Sequence, residues 1–196
     1  MQTNESPKLL SIKPLVACFD VATSTGVCLG YPGAKHPFVA TWDLRVVGKS
    51  RPRRLLYLSE LCDKLFRSNE VDIVRIEAPL PLSAMNKMGT SEEVMLLLRG
   101  AIGVMEMSAA RAGIEDIGFF RVQDARQHFV GQRTFPRGKN GKSAAKDMVL
   151  IMCETLGITA RNDHEGDSIA GWHYTCALQN PRIAMQTTPL FAQAEK

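Results

Sequence analysis

Asp20, Glu77 and Asp167 are three carboxylates set where regular elements should end or begin, and His164 stands three residues before the last of them. Asp20 closes the short apolar run PLVACFD, and Glu77 closes VDIVRIE. Both runs have the length of a buried strand. His164 and Asp167 share one face of an expected helix. In open α/β sheets, ligand sites gather beyond the carboxyl ends of the strands. Two acids at such ends, and a third brought by a helix, can converge on one point. Clustered carboxylates repel unless cations neutralise them, and hard oxygen donors suit Mg²⁺ or Mn²⁺. Two such ions about 3.5–4 Å apart can activate a water and stabilise the leaving oxygen in phosphodiester hydrolysis. Singly, each residue has an ordinary reading. Asp20 is a turn former, Glu77 a solvated strand end, Asp163 a helix N-cap, and His164 a surface or packed histidine. The combination is what points to chemistry.

Two basic stretches carry no acid. Ala125 to Lys146 contains Arg126, Arg133, Arg137, Lys139, Lys142 and Lys146, with Phe129 and Phe135 between them. Arg45 to Arg54 contains Arg45, Lys49, Arg51, Arg53 and Arg54. Each alone reads as a solvated face. Beside a carboxylate cluster, a nucleic-acid track is the better reading, because phosphate contacts give affinity without sequence. The formal charge of +4 is mild, and its placement matters more than its total.

The elements that must position these residues follow from the pattern. Pro14–Asp20, Gly26–Tyr31 and Phe38–Leu44 read as three strands with short links, hence an antiparallel meander. A helix follows from Leu55 to Phe66, then the strand Val71–Glu77 and a loop over Ala78–Gly89. Thr90 with Glu93 suggests a capping box opening a long helix to Gly113. Ile117–Val122 is a strand and Gln123–Val130 a short helix. Two further helices follow, the last from about Asn162 to Leu178. The order predicts an α/β fold, a mixed sheet of about five strands flanked by helices. Residues 1–13 and 179–196 read as tails around one domain over 14–178, a fitting size for one core in a chain of 196 residues. The five cysteines form no C-x-x-C pair, which argues for reduced thiols in a cytoplasmic protein. No apolar run reaches the ~20 residues of a membrane span, and no signal-peptide core is visible.

The blocks FDVATSTGVCLG, IVRIEAP, LRGAIGVMEMSAARAG, GKSAAKDMVLIMCETLG and DHEGDSIAGWHY occur in one order between Phe19 and Tyr174. In that order they resemble the characteristic segments of RuvC-type Holliday-junction resolvases, nucleases of the RNase H-like fold. The resemblance implies a crossover junction endodeoxyribonuclease resolving branched DNA by two-metal hydrolysis. It implies Asp20, Glu77 and Asp167 as metal-binding carboxylates and His164 as the fourth catalytic and metal-binding position, with Asp163 an outside candidate for that role. Mg²⁺ is the implied ion, with Mn²⁺ able to substitute. Arg133, Arg137, Lys139, Lys142, Lys146, Arg51 and Arg53 would contact DNA. Where the family often carries an aromatic wedge, this chain has Leu80 and Leu82. Rival readings are an RNase H-like nuclease acting on RNA–DNA hybrids or other branched DNA, and an inactive binding module of the same fold. A four-way junction offers two equivalent strands, so a C2 homodimer is the simplest assembly. The Met-rich helix from Ser91 to Gly113, with Met95, Leu96, Met105 and Met107, is its candidate interface.

Gly141-Lys142-Ser143 is not a phosphate-binding P-loop: Pro136 stands where that pattern needs Gly. The DVATSTG turn also resembles the phosphate loop of actin-like ATPases, which need a second domain that this length cannot supply. No nucleotide cofactor is therefore expected.

Overall fold

A computed structural model describes residues 13–87, 89–132 and 144–179. Almost all of both expected tails lies outside these. Val16–Asp20 (β1), Ser24–Gly30 (β2) and Phe38–Asp43 (β3) form the antiparallel meander; Ile73–Glu77 (β4) and Asp116–Phe120 (β5) run parallel to β1. The sheet order is β3-β2-β1-β4-β5. The helices are Arg51–Ser68 (α1), Leu82–Lys87 (α2), Glu92–Arg111 (α3), Val122–Val130 (α4), Ala144–Thr155 (α5) and Asp163–Gln179 (α6). This is the mixed five-stranded α/β architecture that the pattern predicts.

Side chains of a strand alternate between faces, and β1 is buried along its whole length. Ala17 and Phe19 pack with Leu58 and Cys62 of α1 and with Ala101 and Met105 of α3. Val16 and Cys18 pack on the other face with Phe129 of α4, Val149 of α5 and Ile169 of α6. Asp20 falls on the face of Val16 and Cys18. On β4, Ile73 belongs to that face too, so Glu77, four residues on, shares it. Strand register pairs Phe19 with Ile76, which sets Asp20 and Glu77 side by side at the carboxyl edge of adjacent parallel strands.

The last helix is buried nearly all round, as a helix central to a core must be. Small residues let it lie close to the sheet: a Cβ on Gly171 would come within 2.5 Å of the Phe120 ring. The Trp172 indole N–H donates to the Gly30 carbonyl at 3.0 Å.

Several expected boundaries move. The first helix opens at Arg51 rather than Leu55, with Pro52 in its first turn, where a missing N–H costs nothing. The Ala78–Gly89 segment contains α2 rather than loop alone. The capping box fails because the helix begins one residue later. Ser91 is the cap, its hydroxyl accepting from the Val94 N–H at 3.4 Å. All five cysteines are buried and free. Among the described residues no helix is long and apolar enough to cross a membrane.

Candidate active site

The first turn of α6 closes over Asp20 because Gly26 lacks a side chain. Gly26 is the cross-strand partner of Asp20. A Cβ there would stand 1.9 Å from the carbonyl oxygen of His164 and 2.4 Å from its carbon. Only glycine lets β2 and the helix approach so closely.

A second device anchors the same turn. Glu165 is fully buried. Its carboxylate accepts from the Arg161 backbone N–H at 2.7 Å, from Arg161 Nη2 at 2.6 Å and from the Thr41 hydroxyl at 2.8 Å. Burial pushes its pKa up, but the Arg161 and Thr41 bonds prevail and hold it below the usual carboxylate range. The cap bond of α6 comes from Asn162, whose Oδ1 accepts the Glu165 N–H at 3.0 Å. Asp163 is therefore not the cap. It is paired with Lys146 instead, and that ammonium holds its carboxyl below the usual range.

The four expected residues come together. Nδ1 of His164 lies 2.6 Å from Oδ2 of Asp20, and Asp20 and Glu77 are close enough to share a hydrogen bond. Burial is the first reason that both carboxyls rise above their ordinary values, Glu77 further than Asp20. For Glu77 the hydrogen bond with Asp20 and the charges of Asp20 and Asp167 add to the rise. Two adjacent buried carboxyls cannot both ionise cheaply, so the pair tends to hold a proton.

Asp167, 5% exposed, takes a cation from the protein. Arg126 Nε donates to its Oδ1 at 2.8 Å and Nη2 to its Oδ2 at 2.6 Å, a two-pronged pair. Burial alone would lower the Arg126 pKa; the bonds to Asp167 outweigh it and raise it. Sequence pattern places Arg126 among the phosphate contacts and misses this role. A signal is present nonetheless. Val122, Ala125, Phe129 and Val130 form the apolar stripe of α4, and Arg126 occupies a position within that stripe.

Among the described residues, no group of three or more His, Cys, Asp or Glu side chains is arranged to hold a metal ion as it stands. The donor chemistry nevertheless fits one. The donors are hard carboxylate oxygens and an imidazole, the ligand types that suit such an ion. What stands against loading is that Asp167 and Asp20 are already engaged, by Arg126 and His164.

The other candidates are more dispersed. Leu80 is 43% exposed and lines, with Glu77, Val21, Met85 and Ile102, an apolar cavity of about 90 Å³. The backbone of Leu82 opens α2. Arg51 lies 3.5 Å from Glu93, and Arg53 is exposed. Arg45 is engaged by Asp43 at 2.8 Å, and Arg54 donates to the Gly48 carbonyl. Arg133, Arg137, Lys139 and Lys142 lie outside the described residues.

No protein-family model and no curated protein matches the sequence. Solved structures do match in fold. Thermus thermophilus RuvC in complex with a Holliday junction substrate aligns with a TM-score of 0.61 at 15% identity, over 80% of this chain and 89% of that one. The chain has the RuvC fold. A second structure of Thermus thermophilus RuvC aligns at 0.59 and 16% identity, over 84% of this chain and 95% of that one. The yeast mitochondrial Holliday junction resolvase aligns at 0.56 and 11%, over 89% and 84%. At such identities the likeness to RuvC is one of fold, the RNase H-like sheet and helices described above.

Proposed function

We propose that this protein is a metal-dependent endonuclease that resolves four-way or other branched DNA junctions. The observation that carries this is the convergence of Asp20, Glu77, His164 and Asp167 at the carboxyl edge of β1 and β4. Two of its fold neighbours are described as RuvC, one of them in complex with a Holliday junction, and a third as a resolvase. Asp20, Glu77 and Asp167 would hold two Mg²⁺ ions, with Mn²⁺ able to replace them. Bound there, such ions supply a Lewis acid for the phosphate and an activated water. Asp20 holds one ring nitrogen of His164, which leaves the other to take or give a proton during hydrolysis. Burial keeps bulk water from screening the site.

Leu80, exposed beside Glu77, would part the junction strands. The basic segment containing Arg133, Arg137, Lys139 and Lys142 would bind the phosphate backbone, with Arg51 and Arg53 as further contacts. Cutting two symmetric strands calls for a homodimer. On α3, Leu96 is 45% and Met107 52% exposed, whereas Met105 is fully buried in the protomer's own core. The first two are the residues offered to a partner.

The test is a cleavage assay on four-way, flap, RNA–DNA hybrid and linear duplex substrates, with Mg²⁺ and with chelator. The four-way or flap substrate should be cut, and only with metal. Preferential cutting of the hybrid would replace this reading with an RNase H activity. Light scattering of the junction complex should show two protein chains.

A further inference from the structure

The guanidinium of Arg126 is the one feature of the cluster that a nuclease built on carboxylates and a divalent cation does not call for. Its side chain is 16% exposed and that of Asp167 is 6%. Both oxygens of Asp167 accept from it, at 2.8 and 2.6 Å. A buried cation is strongly disfavoured unless paired, so Asp167 holds Arg126 in place as firmly as Arg126 holds Asp167. Among the described residues, the other basic side chains at the cluster have partners of their own: Lys146 is with Asp163 and His164 with Asp20. Arg126 thus contributes the positive charge beside Asp167.

We propose that Arg126 is a built-in competitor of the catalytic metal, a guanidinium that neutralises Asp167 in the metal-free protein and must be displaced for a divalent cation to use that carboxylate. The proposal rests on the metal-dependent reading given above. Arg126 sits on α4, whereas the acids are held by β1, β4 and α6. The guanidinium can therefore withdraw on its own flexible stem without disturbing the strand ends. Two consequences follow. Metal affinity is set lower than the three carboxylates alone would give. The metal-free cluster is also kept from repelling itself apart.

A contrary role is physically available and gives the opposite sign. Each Asp167 oxygen has a second lone pair. In that role Arg126 orients a carboxylate that binds metal through the other one, as outer partners of metal ligands commonly do. Removing such a partner weakens metal binding by about 10–100-fold. Removing a competitor strengthens it.

The experiment is calorimetric titration of Mn²⁺ into wild type, Arg126→Gln and Arg126→Lys, with the Tm of each followed with and without Mn²⁺. Asp20→Asn serves as the control for binding at this site. Competition predicts that Arg126→Gln binds Mn²⁺ about 10-fold more tightly, a difference of about 1.4 kcal/mol. Its metal-free Tm should be lower and its Mn²⁺-induced rise in Tm larger than in wild type. Lysine keeps the charge but not the two-pronged grip, so Arg126→Lys should fall between the two. If Arg126→Gln does not fold, the sign of the change in Arg126→Lys decides. Equal or weaker Mn²⁺ binding in the variants overturns the competition while leaving the metal site standing. Absence of Mn²⁺ binding in wild type and variants alike overturns both.

Discussion

Replacing Gly26 with alanine tests how the acidic cluster is assembled. The added methyl would meet the His164 carbonyl oxygen at 1.9 Å, and contacts of this kind below 3.0 Å are essentially never seen. Relief therefore requires β2 and the first turn of α6 to part by about 1.1 Å. The obstructing atoms are backbone, so no side chain can swing away. Overpacking of this sort costs roughly 1–3 kcal/mol, which for a chain of this size lowers Tm by roughly 2–12 °C. The functional effect should be larger than the stability effect. His164 and Asp167 ride on the displaced turn while Asp20 and Glu77 stay on the strands. A misplacement of about 1 Å in a catalytic constellation costs on the order of 100-fold in rate. The assay is junction cleavage with Mg²⁺ well below the Tm, beside a thermal melt. Leu58→Ala is the comparison: it deletes a fully buried side chain on the opposite face of the sheet and costs about 2–5 kcal/mol. It should cut at close to the wild-type rate while folded. A folded Gly26→Ala protein with wild-type cleavage would show that the close approach of α6 to β2 does not set the catalytic geometry.

Asp20→Asn, Glu77→Gln and Asp167→Asn should each lower cleavage by about 10³-fold or more, the rate equivalent of several kcal/mol of metal-derived stabilisation. Gel-shift affinity for junction DNA should change little, and full activity in Asp20→Asn would remove the site. The pH dependence of stability should carry the signature of His173. Burial holds this residue down to about 4 from 6.5, and its buried Nε2 has no hydrogen-bond partner among the described residues. Stability is present above pH 6.5 and lost as the pH falls toward 4, by about 3 kcal/mol. Asp20 and Glu77 titrate in the opposite sense, so the effect is read as the difference between wild type and His173→Phe melts, and parallel curves would contradict it. Alanine at Arg133, Arg137, Lys139 and Lys142 should weaken binding to all DNA sequences alike. The slope of log affinity against log salt should flatten by about 0.9 for each phosphate no longer neutralised. An unchanged slope would place the phosphate-binding residues elsewhere. Leu80→Asp should slow junction cleavage while sparing binding, and unaltered rates would assign strand parting to other residues.

What could be read from the sequence was what local pattern carries. Runs of apolar residues ending in Asp20 and Glu77 mark strands whose last side chains stand at a sheet edge, and a three-residue spacing puts His164 and Asp167 on one helix face. Alternation and helical period act over a few residues, so these features survive without knowledge of the fold. The capping box at Thr90 shows the limit even there, since Ser91 one residue on makes an equally good cap and only the packing of the helix chooses between them. The charge partners were beyond reach. Arg126 meets Asp167 across 41 residues and His164 meets Asp20 across 144. A basic residue in an acid-free segment looks solvated until the chain folds and brings an acid to it. The same holds for Glu165, an ordinary acid in sequence that is buried against Thr41 and Arg161, and for Gly26, whose missing side chain matters only because a helix arrives from the far end of the chain. Local pattern picked out Asp20, Glu77, His164 and Asp167, the side chains that the fold brings together. The folded chain decided which of them are neutralised, by what, and at what distance, because electrostatic partnership depends on proximity in space and on exclusion of water, neither of which a linear pattern contains.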